Sequence, residues 1–474
     1  MSPNISTVRR SARSSASRKP RRHEGGLDVP AIRAFLTAQH LKNRTIVSAD
    51  AAPLLHDVER LSGLAMIRHR FRTGEEHGTW IVPPQWDVKA AWLKDAQGVV
   101  IASYEEHPLF VAPYSRPGRY QVSKAELLQH LYVDPNEPGA FGYNWRLAFD
   151  PALRLKTWSL SLPRPRLKRL GEGPFQVSIE ADVADGELLV GELVLPGEEP
   201  GTIAFVADYC HPGQVNDSLS GVAVFAQLMR MLAGRPSRRY TYKLLLVPET
   251  IGSAIYIAAD PARMAAVRGA VFAEALGWGQ AWYLKATRSA DTYLDLLAAE
   301  CRQVFPELRS GPFFGLIGND ELIFDSVQVG VPALSLQKFP YAGYHTSRDE
   351  PSRLRDEDLL HGFEILQHLV EVAERDRVCA FVHPVPFLMS RYGLFADDVY
   401  DPRRFVRNRA IVYDLLDGRR SLLAIARQLD VPFADVADYA ERMRAHGLIT
   451  DAARSPWEQG IDDSLKQALR AAAA

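Results

Sequence analysis

His211 and Asp217 stand six residues apart in the stretch Asp208 to Gly221, which reads Asp-Tyr-Cys-His-Pro-Gly-Gln-Val-Asn-Asp-Ser-Leu-Ser-Gly. A neutral imidazole nitrogen and a carboxylate oxygen both suit zinc. Alone, such a pair is better explained by a hydrogen-bonded loop closed by an aspartate at a helix N-cap. Three further features shift the balance. The apolar run Lys243 to Val247 leads straight into Pro248-Glu249-Thr250-Ile251-Gly252-Ser253, which sets the carboxylate of Glu249 at a second strand end. The run Gly269 to Leu276 is interrupted by one acid, Glu274, which a buried strand avoids unless the acid is paired or bound to a cation. Gly343-Tyr344-His345-Thr346-Ser347-Arg348-Asp349 places a second histidine beyond another apolar run, Val331 to Leu336. Asp349 is expected to orient the His345 ring rather than to form a plain surface salt bridge, since metal-bound imidazoles usually donate their other N–H to a carboxylate or carbonyl.

These groups need a scaffold that brings strand ends together. Thr202 to Tyr209, Lys243 to Val247 and Val331 to Leu336 are short apolar runs without helical periodicity, as buried parallel strands are. Between the first two, Val222, Phe225, Met229 and Leu232 recur at steps of three and four, and Gly234 follows where a helix stops. Strand, helix, strand is a crossover unit. It predicts an α/β fold with a mostly parallel central sheet and helices on both faces. In such sheets, catalytic groups gather on loops leaving the carboxyl ends of the strands. The core is expected over 26–75 and 186–395, interrupted by a β-rich inserted block, 76–185, that carries Trp80, Trp86 and Trp92 among many Pro and Gly residues. These tryptophans read as core rather than as a ligand platform. Helical periodicity in Asp414 to Arg427 and Phe433 to Thr450 outlines a winged helix over 396–455, followed by a C-terminal tail, 456–474.

The order of the motifs resembles that of the co-catalytic zinc aminopeptidases: a strand-end His, Asn-Asp-x-x-Ser-Gly opening a helix, Glu with Gly-Ser, an acid on the next strand, and Tyr-His-Thr-x-x-Asp. More closely, the chain is similar to aminopeptidase-like proteins of unknown function that add a small inserted domain and a C-terminal winged helix to this core. The similarity runs from about residue 45 to about residue 452, and Trp80-Ile81-Val82-Pro83 with Trp86 extends it into the inserted block.

The resemblance implies His211 as a ligand of one zinc, Asp217 as the bridging carboxylate and His345 as a ligand of the other zinc. Glu274 falls where the family usually has an aspartate ligand. Glu249 falls where the enzymes have two adjacent glutamates, one a general base and the next a ligand, and this chain has only one acid there. The expectation is therefore a zinc-dependent hydrolase of a peptide or small-molecule amide, with Glu249 as base. One metal would be held tightly by His211, Asp217 and His345 or Glu274, and a second would be weak or absent. Asp320 and Glu321 are candidates for holding the substrate amine, against a capped helix start, and Tyr344 is a further candidate substrate contact. The substrate could equally be a biosynthetic intermediate. The alternative is a decayed peptidase scaffold that binds or regulates through its winged helix.

Length and charge set the remaining bounds. A chain of 474 residues has room for about three domains. Its 56 Lys plus Arg nearly cancel 57 Asp plus Glu, although residues 1–25 hold seven basic groups against one acid and read as a disordered basic tail. Nucleic acid is not the expected partner: the segment Phe433 to His446 carries Asp435, Asp438 and Glu441 against Arg442 and Arg444, whereas a groove-reading helix is clearly basic. Packing of this unit on the core, or on a second copy as a homo-oligomer, is expected instead. Cys210, Cys301 and Cys379 are too scattered for a disulfide framework, and no uncharged apolar run reaches the roughly 18 residues that span a bilayer. A cytoplasmic location without membrane attachment follows as an expectation.

Overall fold

The computed structural model describes residues 26–395, 402–458, 461 and 463–473. The basic leader over 1–25 and the junction at 396–401 lie outside the described residues. An eight-stranded sheet organises the chain, in the order Ile67–Arg72, Glu187–Leu195, Thr241–Val247, Thr202–Asp208, Val267–Glu274, Ala333–Phe339, Ala281–Lys285, Arg309–Gly311. Its four middle strands run parallel, as their apolar runs predict. The flanks are mixed: Ile67–Arg72 and Glu187–Leu195 form an antiparallel edge, and Ala281–Lys285 pairs antiparallel with Ala333–Phe339. The last middle strand begins at Ala333 rather than Val331. Pro332 has no N–H to give a ladder, and its carbonyl instead accepts from Ala270 N–H at 2.9 Å.

Alternation along the strands divides the interior in two, because successive side chains point to opposite faces. Phe205 and Ala207 join one core with the helices Val29–Gln39, Ala51–Ser62, Leu219–Ala233 and Asp356–Arg375. Ala204 and Val206 join the other with helix Ile251–Ala259 and the residues of the inserted block. Helix Leu219–Ala233 lies so close to the sheet that a Cβ on Gly221 would sit 1.9 Å from the Ala273 carbonyl oxygen. Glycine at the end of the Ser-Leu-Ser-Gly motif is thus a packing requirement.

Between the two edge strands, the chain forms a separate antiparallel sheet in the order Val100–Ser103, Gln85–Lys94, Phe175–Ala184, Gly118–Val122. Trp86 is buried within this block, where its indole N–H donates to the Ser115 carbonyl at 3.0 Å. Leu109 to Tyr114, whose apolar pattern suggests a strand, instead begins with the short 3-10 turn Pro108–Phe110.

The C-terminal region holds a three-stranded sheet, Asp417–Ser421, Val378–Phe381 and Ile449–Asp451, with helices Leu422–Gln428 and Phe433–Ala445. The periodicity over Asp414 to Arg427 is therefore not one helix. Asp417 accepts the N–H groups of Arg419 and Arg420, and Gly418 turns at φ +72, which makes a strand of 417–421. This region packs on the core. Glu300 accepts the Phe433 N–H at 2.9 Å, and Arg375 of the long core helix pairs with Asp438 and Glu441, both at 2.8 Å. The final stretch includes helix Asp463–Ala473, where the sequence suggested only a tail. Among the described residues, no helix is long and apolar enough to cross a membrane.

Candidate metal centre

Three strand ends converge. Thr202–Asp208 leads to His211, Thr241–Val247 leads to Glu249, and Ala333–Phe339 leads through a short loop to His345. Asp217 stands just before helix Leu219–Ala233. One ligand-type atom each from His211, Asp217 and His345 lies within 4.8 Å of the other two, and Cys210, His211 and Glu249 form a second such group. His345 Nε2 is 3.1 Å from Asp217 Oδ2, His211 Nε2 is 3.3 Å from Glu249 Oε2, and His211 Nδ1 is 3.2 Å from Asp208 Oδ1. His345 sits at φ +56, in the left-handed region, where Tyr143 N–H holds its carbonyl at 2.7 Å.

Buried carboxyl groups crowd the site. Burial and then the neighbouring carboxylates Asp217 and Asp208 hold Glu274 well above the usual carboxylate range. Burial pushes Asp208 up to about 7, against the pull of His211. Burial would raise Asp217 too, but His211 and then His345 outweigh it and keep this carboxyl low. Several buried atoms have no hydrogen-bond partner among the described residues: Asp217 Oδ2, Asp208 Oδ2, Glu274 Oε1, Asp320 Oδ2 and His211 Nδ1. Asp217 Oδ2 and His345 Nε2, 3.1 Å apart, are close enough to reach one cation together with His211. Imidazole and carboxylate donors in this number fit zinc.

The remaining candidates take different places. Glu274 Oε2 accepts from Asn319 Nδ2 at 2.6 Å, and Glu274 belongs to neither three-residue group. Asp320 Oδ1 accepts the N–H of Thr250, the residue after Glu249, at 3.1 Å. Thr250 is itself at φ +56, so Asp320 braces the turn that carries Glu249. Glu321 is committed to the scaffold: Lys285 Nζ binds one oxygen at 2.7 Å and Asn319 N–H the other at 3.1 Å, with both charges buried. Both of its oxygens are thus engaged by the scaffold. Tyr344 stacks on His345 with ring centroids 4.0 Å apart.

Asp349 does not orient His345. Its carboxylate accepts the N–H groups of Val215 and Asn216 at 3.0 and 2.8 Å and of Asp217 at 3.1 Å, and the Tyr341 hydroxyl at 2.9 Å. Three consecutive unpaired N–H groups are a stronger demand on a buried carboxylate than one ring N–H. The carboxylate beside a histidine is instead Asp208, next to His211, and its place three residues earlier at the strand end was a readable signal. Arg44 had none. Wholly buried, it donates to the carbonyls of Gln39, Tyr209 and Gln214 at 3.0, 2.6 and 2.6 Å and so pins both ends of the loop that bears His211. Cys210 is a buried thiol pushed up to about 11 by burial, and its sulfur accepts the Glu249 N–H at 3.2 Å.

Similarities to known proteins agree with this architecture. Residues 34–376 match the family described as a domain of unknown function, DUF4910. A Clostridium acetobutylicum protein, provisionally named a polysaccharide biosynthesis protein with aminopeptidase-like domain, is 26% identical over 386 residues, covering 79% of this chain and 86% of the relative. A crystal structure of a provisionally named peptidase from Clostridium acetobutylicum aligns with a TM-score of 0.78 at 22% identity, over 89% of this chain and 96% of that one. BSAP, a zinc aminopeptidase from Bacillus subtilis, aligns with a TM-score of 0.53 at 13% identity, over 74% and 96%. At such identities the structural matches establish a shared fold. The chain belongs to the DUF4910 family and has an aminopeptidase-like α/β fold.

Proposed function

We propose that this protein is a zinc-dependent hydrolase that cleaves an aminoacyl or peptide amide bond. The observation that carries this reading is the convergence of buried His211 and Asp217 with half-buried His345, with Glu249 3.3 Å from His211. Zinc held by these three residues would supply the Lewis acidity that polarises a carbonyl and lowers the pKa of water. Glu249 is the most open of the site carboxylates, its side chain 20% exposed, and it takes the proton from water and passes it to the leaving amine. Its N–H on Cys210 and the Asp320 brace on Thr250 hold it in place. The commitment of Glu274 to Asn319 favours one tight metal over two.

The unpartnered oxygens of Glu274 and Asp320 leave hydrogen-bond acceptors at the site that suit a substrate with a free amine. The name of the Clostridium relative supports an amide in a biosynthetic intermediate as substrate. The pairing of Asp438 and Glu441 with Arg375 supports a C-terminal unit that packs on the core rather than one that reads nucleic acid. Three buried free thiols fit a reducing compartment such as the cytoplasm.

Metal analysis of the zinc-equilibrated protein tests the reading, together with turnover of aminoacyl amides. One zinc per chain, lost in His211→Ala and Asp217→Ala, is expected. Glu249→Gln should keep the metal and lose about 10²- to 10⁴-fold in kcat. An unmutated protein that binds no zinc refutes the proposal.

A further inference from the structure

Tyr143 belongs to the inserted block, yet its segment is zipped onto the loop that carries His345. Ser347 N–H donates to the Phe141 carbonyl at 2.8 Å, Phe141 N–H to Ser347 Oγ at 3.2 Å and Tyr143 N–H to the His345 carbonyl at 2.7 Å, while Gly142 and Thr346 form an antiparallel bridge. This pairing fixes the Tyr143 backbone against the site. The ring then meets both imidazoles, with centroids 5.4 Å from His211 and 5.2 Å from His345, close to edge-on in each case. The residue is 2% exposed, its hydroxyl makes no hydrogen bond among the described residues, and that oxygen is not one of the fully buried unpartnered atoms. A phenol, with an ordinary pKa of about 10, keeps its proton at neutral pH.

We propose that Tyr143 is a catalytic residue whose hydroxyl donates a hydrogen bond to the oxyanion that develops on the substrate carbonyl. The inference rests on the hydrolytic reading above. Water oxygen bonds to the carbonyl carbon and loses a proton to Glu249, and the carbonyl π pair moves onto oxygen, where the phenol O–H meets it. Collapse re-forms the carbonyl and breaks the C–N bond, and the proton from Glu249 leaves on the amine. Tyr143 keeps its own proton throughout. A donor aimed at charge that exists only in the transition state lowers the barrier without tightening the ground state. Tyr344 stacks on His345 alone, whereas Tyr143 reaches both histidines.

The test compares full-length zinc-loaded wild type with Tyr143→Phe and Tyr344→Phe. The probes are an aminoalkylphosphonic acid, tetrahedral and anionic like the oxyanion, and the matching amino acid amide. Because the Tyr143 hydroxyl has no partner, Tyr143→Phe should keep its zinc and its Tm. Calorimetry should show phosphonate affinity reduced about 10- to 100-fold and amide affinity within about twofold, and kcat should fall about 10²- to 10³-fold with KM little changed. Unchanged phosphonate affinity, a loss confined to Tyr344→Phe, or no phosphonate binding by the wild type overturns the inference. Undiminished turnover in Tyr143→Phe overturns it while leaving hydrolysis standing. Weakened phosphonate binding with no amide turnover in the wild type supports the donor and refutes the hydrolytic reading.

Discussion

Asp349 holds Asp217 by its backbone: the carboxylate accepts the Asp217 N–H at 3.1 Å, and its other oxygen takes the N–H groups of Val215 and Asn216. One buried acid therefore sets the course of the loop that delivers another to the metal centre. Like-charged side chains are brought near each other because the intervening N–H dipoles satisfy the first.

Replacing Asp349 by alanine strands these three donors and the Tyr341 hydroxyl in the interior. Each unsatisfied buried group costs about 1 to 3 kcal/mol, so a loss on the order of 4 kcal/mol is expected. Urea denaturation would measure it. Zinc affinity should fall more than about tenfold although no ligand atom has changed, a shift of roughly 1.4 kcal/mol. Wild-type zinc affinity in a folded Asp349→Ala protein would show that the loop holds its course unaided.

Arg44 offers a second handle on the same loop. Burial pulls its guanidinium down to about 10, yet it remains charged at neutral pH and spans three carbonyls. Arg44→Met should destabilise the protein by roughly 3 to 5 kcal/mol, and Arg44→Lys should recover little, since an ammonium lacks the planar fork. Near-native stability of the lysine variant in chemical denaturation would contradict this account.

Gly221→Ala places a methyl 1.9 Å from the Ala273 carbonyl oxygen, against sheet backbone that has nowhere to retreat. A loss of about 3 kcal/mol or more is expected, seen as a lower Tm or a failure to accumulate as soluble protein. Gly234→Ala is the control: the nearest atom is 3.5 Å away and φ is −73, so the change should be neutral or stabilising by a few tenths of about 1 kcal/mol.

Asp376, remote from the metal centre, gives a pH signature. Burial raises it to about 6, against hydrogen bonds from Leu423 N–H, Ser421 and the Tyr293 hydroxyl and the charge of Arg239. An acid with a higher pKa folded than unfolded binds more protons in the folded state. Its contribution therefore favours folding at low pH and is lost as pH rises from about 4 to about 6, by on the order of 3 kcal/mol. The stability difference between wild type and Asp376→Asn should change by that amount across this window and level off above it. A constant difference would mean that Asp376 titrates normally.

Strand ends were legible because apolar runs are local. Thr202 to Tyr209 and Lys243 to Val247 announce buried strands, and the polar residues that follow them must lie at the sheet edge. The apolar runs alone therefore set His211, Glu249 and His345 beyond strand ends of one sheet. The strand Asp417–Ser421 was not legible, since the helical periodicity around it is the same on either side of a turn set by Gly418. The ion pair of Glu321 with Lys285 was not legible either, because the partner stands 36 residues away.

By itself, the sequence determined which residue types stand at which strand ends, and with them the α/β core and the chemistry available to the loops. These depend on periodicity and on neighbours a few residues away. Tertiary structure alone decided the partners: Asp349 with the loop at 215–217, Arg44 with carbonyls up to 170 residues distant, and Tyr143 of the inserted block against His211 and His345. A buried polar group is satisfied by whatever the fold brings within about 3 Å, and sequence separation carries no trace of that distance.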